Sequence, residues 1–183
     1  MESVRVPQER IAVLVGKRGV TKRKIEKAAG VKIVIEKDGA VFIESEDSYS
    51  EFRAKDVVKA IGRGFSPESA LKLLNDEYYL KIIPLKRLFH SEKAIKRMKG
   101  RVIGEEGRAK KMIEETSEAE VVVYRSTIGI IGMLDEVELA GEAIGRLLEG
   151  KNHSTVFNFL QKAKKKLKED RMLHMWRKPA KRG

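Results

Sequence analysis

The sequence predicts an α+β fold in which one string of elements occurs twice: strand, helix, glycine loop, helix, strand, strand, helix. Three observations predict it. The segment VGKRGVTKRKIEKAAGVKIVIE around Gly16 and Gly19 is echoed by VIGEEGRAKKMIEETSEAEVVVY around Gly104 and Gly107. An apolar residue precedes each first glycine (Val15, Ile103), and an isoleucine follows at the matching offset (Ile25, Ile113). Further on, Ala60-Ile61-Gly62-Arg63 and Ala143-Ile144-Gly145-Arg146 each close the next helical segment, and such matched offsets mean an internal duplication.

In the first copy, residues 4–6 form a short strand ended by Pro7, and residues 9–15 a helix that enters the glycine loop. Residues 21–29 form the second helix, stopped at Gly30. Two β-branched runs, 31–35 and 40–43, flank Asp38-Gly39, a hairpin-turn pair. Residues 49–61 read as a helix with Phe52, Val57, Ala60 and Ile61 on one face. Ser66 then caps a helix begun by Pro67, whose apolar stripe is Ala70, Leu71 and Leu74.

The second copy opens with a strand at 78–83. A basic helix from Ser91, carrying Lys93, Lys96, Arg97 and Lys99, leads to the second loop. A helix at 108–116, strands at 121–124 and 128–133 around a turn near Ser126, and a helix at 136–148 follow. Ser154 is expected to cap a last helix with Val156, Phe159, Leu160, Ala163 and Leu167 on one face. The two appended helices are expected to join the repeats, because their apolar stripes need a partner. The expected division is residues 1–75, 76–171 and a basic tail, 172–183. Met172, Leu173, Met175 and Trp176 have docking into a core as their default; a stacking site and a partner-docking stripe are the alternatives.

The chain has 183 residues and a net charge of +12, which points to polyanionic partners. Most of the excess sits at the end, since residues 151–183 carry 11 basic and 2 acidic side chains. No apolar run approaches a membrane span and the N-terminus lacks the core of a signal peptide, so a cytoplasmic protein away from membranes is expected. The chain has no cysteine, which removes disulfides, thiol nucleophiles and cysteine metal sites. His90, His153 and His174 stand in no metal-ligand spacing, and the chain contains no P-loop, Rossmann fingerprint or nucleophile elbow. No enzyme, metal or cofactor is therefore expected.

Glycines three apart permit a sharp turn with no Cβ in the path of a ligand backbone. The second glycine opens a helix whose unpaired N–H groups and dipole favour an anion. Lys17 and Arg18 between the glycines make that anion a phosphate. Taken alone the pattern equally suits one helix stopping and another starting; the second copy is what favours the binding loop. In that copy, Glu105 and Glu106 stand where cations are expected. They suit a helix N-terminus without any ligand.

These two segments resemble the core of the KH domain, and the element order matches its eukaryotic-type arrangement. The resemblance implies two domains, each a three-stranded antiparallel sheet with helices on one face, and each followed by an extra helix. It also implies that the loop clamps a single strand of RNA by its backbone. Candidate contacts are Val15, Gly16, Lys17, Arg18, Gly19, Lys22, Arg23 and Ile33 in the first copy, with Val15 and Ile33 facing bases. In the second they are Arg101, Gly104, Gly107, Arg108, Lys110 and Lys111, with a protein-docking surface as the other reading of that loop. Lys164 and Lys165 are expected to add affinity from the last helix. Two adjacent copies and the ending LLEGKNHSTVFNFL are similar to the archaeal form of the partner-of-Nob or Dim-two small-subunit ribosome assembly factors. That likeness implies ribosomal RNA near its 3′ end, a processing endonuclease and a translation-initiation-factor subunit; a monomer is expected. A general KH protein of RNA decay or single-stranded DNA binding, or a protein scaffold, is the alternative.

Overall fold

The computed structural model describes residues 2–177. The first unit comprises Glu2–Arg5 (β1), Gln8–Val15 (α1), Val20–Ala29 (α2), Lys32–Ile35 (β2), Ala40–Glu44 (β3) and Ser48–Gly62 (α3). Pro67–Leu71 (α4) and a 3-10 turn at Lys72–Leu74 follow. The second unit comprises Tyr78–Pro84 (β4), Leu85–Leu88 (α5), Glu92–Ile103 (α6), Arg108–Ser117 (α7), Glu120–Tyr124 (β5), Thr127–Met133 (β6) and Leu134–Leu148 (α8), and His153–Arg177 (α9) ends the described chain. The short α5 is the one helix without a counterpart in the expected elements.

Both sheets are three-stranded and antiparallel, ordered β1-β3-β2 and β4-β6-β5. The helix starts follow local chemistry. Asp47 accepts from the N–H groups of Tyr49 and Ser50, Ser66 from Ser69 and Ser91 from Ala94, each filling donors a helix leaves open. Gly39, at φ 86°, turns the β2–β3 hairpin as Asp38-Gly39 predicts.

Leu14, Ile25, Ile33, Val41, Ile43, Val57 and Ile61 make the first core; Val102, Ile113, Val121, Ile128, Ile130, Ile144 and Leu147 make the second. Strand β6 is buried on both faces. Ile128 and Ile130 face its own helices, while Ile131 joins Phe65, Leu73 and the rest of the first core. The second sheet is thus a middle layer, with the first unit packed on its outer face.

The structure departs from the sequence's expectations at three places. Phe52 is 52% exposed, because the buried stripe of α3 runs through Ala54, Val57, Val58 and Ile61. The appended helices do not meet each other as the joint between repeats. The α4 segment leans on the second sheet through Leu73 and the β4 contact of its 3-10 turn, whereas α9 covers α7 and α8 of its own unit. Finally, Met172, Leu173, Met175 and Trp176 dock into no core: all four are exposed on α9, which continues through them. The rest of the expected tail, 178–183, lies outside the described residues. No helix among the described residues is long and apolar enough to cross a membrane.

Candidate nucleic-acid interface

The two glycine loops share one backbone conformation. Gly16 has φ 72° and ψ 174°, Gly104 φ 76° and ψ 175°. Arg18 (54°, 29°) and Glu106 (51°, 27°) both take the left-handed conformation, as do Gly19 (76°, 15°) and Gly107 (73°, 12°). A left-handed non-glycine residue costs about 1–3 kcal/mol, and here the cost is carried at the same place twice. The glycines of each pair do different work. A Cβ on Gly16 would stand 2.8 Å from Thr21 Cβ and one on Gly104 2.6 Å from Ala109 Cβ, so the first glycine admits the following helix. Around Gly19 and Gly107 no atom of the described residues lies within 4 Å of such a Cβ. That open side is where a ligand backbone has room to approach.

Charge separates the loops that geometry makes alike. Lys17 and Arg18 are exposed and have no ion-pair partner among the described residues. Arg23 donates to the Arg18 carbonyl (2.9 Å) and so braces the loop from behind. In the second copy, Arg108 pairs with Glu106 (3.1 Å), Lys110 with Glu114 (3.1 Å) and Lys111 with Glu115 (3.8 Å). Exposed pairs of this kind are weak. Their effect is to neutralise the local field at the second loop while leaving the first one positive.

Lys22 and Lys110 belong to a repeated structural device. Lys22 pairs with Glu26 (3.6 Å), whose Oε1 accepts the Ile33 N–H (2.8 Å); in the other copy Glu114 accepts the Val121 N–H (2.8 Å). Each carboxylate fastens the second helix to an edge strand. The signal was legible, since Glu26 and Glu114 both stand seven residues after their loop's second glycine.

Other candidates are placed away from solvent or tied down. The Ile33 side chain is 1% exposed in the core, since the alternation of β2 turns Val34 outward instead. Val15 is half-buried beside the loop. Arg101 donates to the carbonyls of Leu147 (3.1 Å) and Lys151 (2.5 Å), capping the end of α8, and its own carbonyl receives His153 Nε2 (2.8 Å). Arg10 does the same for α3, through Ile61 and Phe65. In both units an arginine from the neighbouring helix thus ties a carbonyl of the last helical turn to one in the loop beyond it. Lys164 donates to the Glu115 carbonyl (3.2 Å), while Lys165 is exposed.

One basic surface escaped sequence reasoning. Lys86, Lys96, Lys99 and Arg125 line an open groove of about 560 Å³ between α6 and the β5–β6 turn, with Glu92 as its carboxylate. Lys96 and Lys99 share a helix face with Ile103, which leads to the second loop. Lys86 and Arg125 reach it only through the topology.

Residues 1–60 match the KH domain, and residues 79–165 match the eukaryotic type KH-domain (KH-domain type I). A relative from Methanocaldococcus jannaschii, KH domain-containing protein MJ0443, is 42% identical over 97% of this chain and 80% of its own length. The chain belongs to the KH-domain family. A pre-rRNA-processing protein PNO1 of Phaeosphaeria nodorum is 33% identical to this KH protein over 64% of the chain and 45% of the relative. The chain thus spans less than half of that fungal protein. A crystal structure of an a/eIF2alpha-aDim2p-rRNA complex from Pyrococcus horikoshii contains a chain 45% identical, with a TM-score of 0.83 over 90% of this chain and 94% of that one. Both KH units keep the glycine pair on which backbone clamping of RNA rests.

Proposed function

We propose that this KH protein holds a single-stranded stretch of small-subunit ribosomal RNA, or its precursor, near the 3′ end during ribosome assembly. The observation that carries the reading is the GKRG loop, open beside Gly19 and presenting two cations without ion-pair partners among the described residues. Phosphates over Gly16 to Gly19 supply affinity, and bases turned towards Val15 supply choice. The second unit adds contacts through Lys96 and Lys99 in its groove, with its loop contributing backbone N–H groups. The pre-rRNA-processing and rRNA-bound relatives support ribosomal RNA over messenger RNA.

A translation-initiation-factor subunit and a processing endonuclease are the protein partners of this reading, and the protein works as a cytoplasmic monomer without catalysis of its own. Its units are residues 1–75 and 76–171. Recovering the protein from native lysate after ultraviolet crosslinking, and sequencing the attached RNA, tests it. Enrichment of small-subunit RNA ending at or beyond the mature 3′ end is expected. Scattered messages would replace the reading with a general KH role, and absence of RNA would replace it with a protein scaffold.

A further inference from the structure

The last helix outruns the fold it packs on. Through Leu167, α9 rests on α7 and α8 by Val156, Leu160, Ala163 and Leu167, and it is fastened by Lys164 and by the Arg171–Asp135 pair. Residues 168–176 are all exposed. At 1.5 Å per residue, the five residues past Arg171 extend about 7 Å beyond the last side chain that ties α9 to α8. The end of α9 carries Met175, 71% exposed, and Trp176, 82% exposed.

At 100° per residue, Lys165, Lys168, Met172 and Trp176 lie along one side, spaced i, i+3, i+7 and i+11. Neither lysine has an ion-pair partner among the described residues; Glu169 is on that side, and Lys168 also borders a cleft that holds Glu118, Asp135 and Glu136. Over residues 162–176, six lysines and arginines face two carboxylates. The apolar residues themselves spread over roughly 160° of the circumference, wider than the single stripe a protein groove grips. A row of free cations that ends in a bare indole is instead the pairing that single-stranded nucleic acid takes: phosphates on the cations, a base on the ring.

We infer that Trp176 is a base-stacking platform for single-stranded RNA, with Lys165 and Lys168 guiding the backbone to it. This rests on the RNA reading above and extends the footprint from the KH surfaces to the end of α9. It also assigns Met172 a role as the apolar floor beside the ring.

Trp176 is the chain's one tryptophan, so its emission reports this position alone. The full chain is titrated with an unlabelled single-stranded RNA of about twelve nucleotides from the small-subunit 3′ end. Anisotropy of a labelled copy measures binding in parallel. Saturable quenching with the same midpoint is expected, with Trp176→Ala weakening binding about tenfold and Trp176→Phe staying within about threefold. Both substitutions are at an exposed site, and unchanged circular dichroism verifies the fold. Binding by anisotropy with unquenched emission and an unaffected Trp176→Ala variant would overturn the platform and leave the RNA reading intact. Quenching only on adding a translation-initiation-factor subunit would overturn it in favour of protein docking. No anisotropy change in the unmodified protein would overturn the RNA reading itself, and the platform with it.

Discussion

The ring of Phe65 lies directly on Gly129: a Cβ at that glycine would stand 2.5 Å from Phe65 Cε2. Phe65 is 1% exposed and sits just beyond α3, while Gly129 is in β6, so this contact seats the first unit on the second sheet. Gly129→Ala should cost about 1–3 kcal/mol by overpacking and Phe65→Ala about 3–5 kcal/mol by leaving a cavity. Because the cavity accepts the added methyl, urea unfolding of the double variant should show a loss well below the sum. Additive losses would mean that the two residues do not meet.

The glycines of the first loop should separate by readout. Gly16→Ala drives a side chain into Thr21 and should lower the melting temperature, with RNA affinity lost as a consequence. Gly19→Ala meets no protein atom and suffers only its φ of 76°, so the fold should survive while RNA affinity falls. Equal affinity for Gly19→Ala and the unmodified protein would place the RNA elsewhere.

Replacing Lys17 and Arg18 by Asp should weaken RNA binding and leave stability nearly unchanged. Aspartate tolerates the left-handed conformation of position 18, which protects the fold. The log-log salt dependence should flatten by about 1.4 if both cations sit on phosphates of a single strand. Filter binding across a salt series measures it, and an unaltered slope would refute the clamp.

Glu106 holds Arg108 and adds a negative charge where the first loop has Arg18. Glu106→Lys should therefore raise RNA affinity, whereas Lys96→Glu with Lys99→Glu should lower it through the α6 groove. If neither pair of measurements moves, the second unit faces something other than RNA.

Acid should loosen the contact between units. Two hydrogen bonds from Arg125 (3.0 and 2.5 Å) and one from the Tyr124 hydroxyl hold the Glu9 carboxyl below its ordinary 4.5. A depressed carboxyl contributes stability above its unfolded value and loses it as pH falls through the folded one. The melting-temperature advantage of the unmodified protein over Glu9→Gln should be flat near neutral pH and shrink once pH drops below 4.5. A difference constant into acid would show that Glu9 carries no charge-dependent contact.

The amino-acid sequence by itself determined the repeated unit, the element order, both hairpins and the chemistry of the GKRG loop. Those properties are local: glycine spacing, alternation and capping act within a few residues. Even the opposite charge of the second loop is legible in Glu105 and Glu106. What only the tertiary structure decided is which groups remain available. Arg101 and Arg108 are alike as letters, yet one is consumed by carbonyls at and just beyond the end of α8 and the other faces solvent beside the loop, paired only with Glu106. Ile33 is in the core and Val34 outside because one register of β2 is buried against the helices. The groove of Lys86, Lys96, Lys99 and Arg125 assembles from three separate elements, and β6 is buried on both faces only once the first unit is seated on it. Burial and convergence depend on contacts between residues far apart in the chain, and no spacing along it encodes them. For the same reason Met172, Leu173, Met175 and Trp176 read as core in sequence: their exposure follows from α9 continuing past the last surface it packs against.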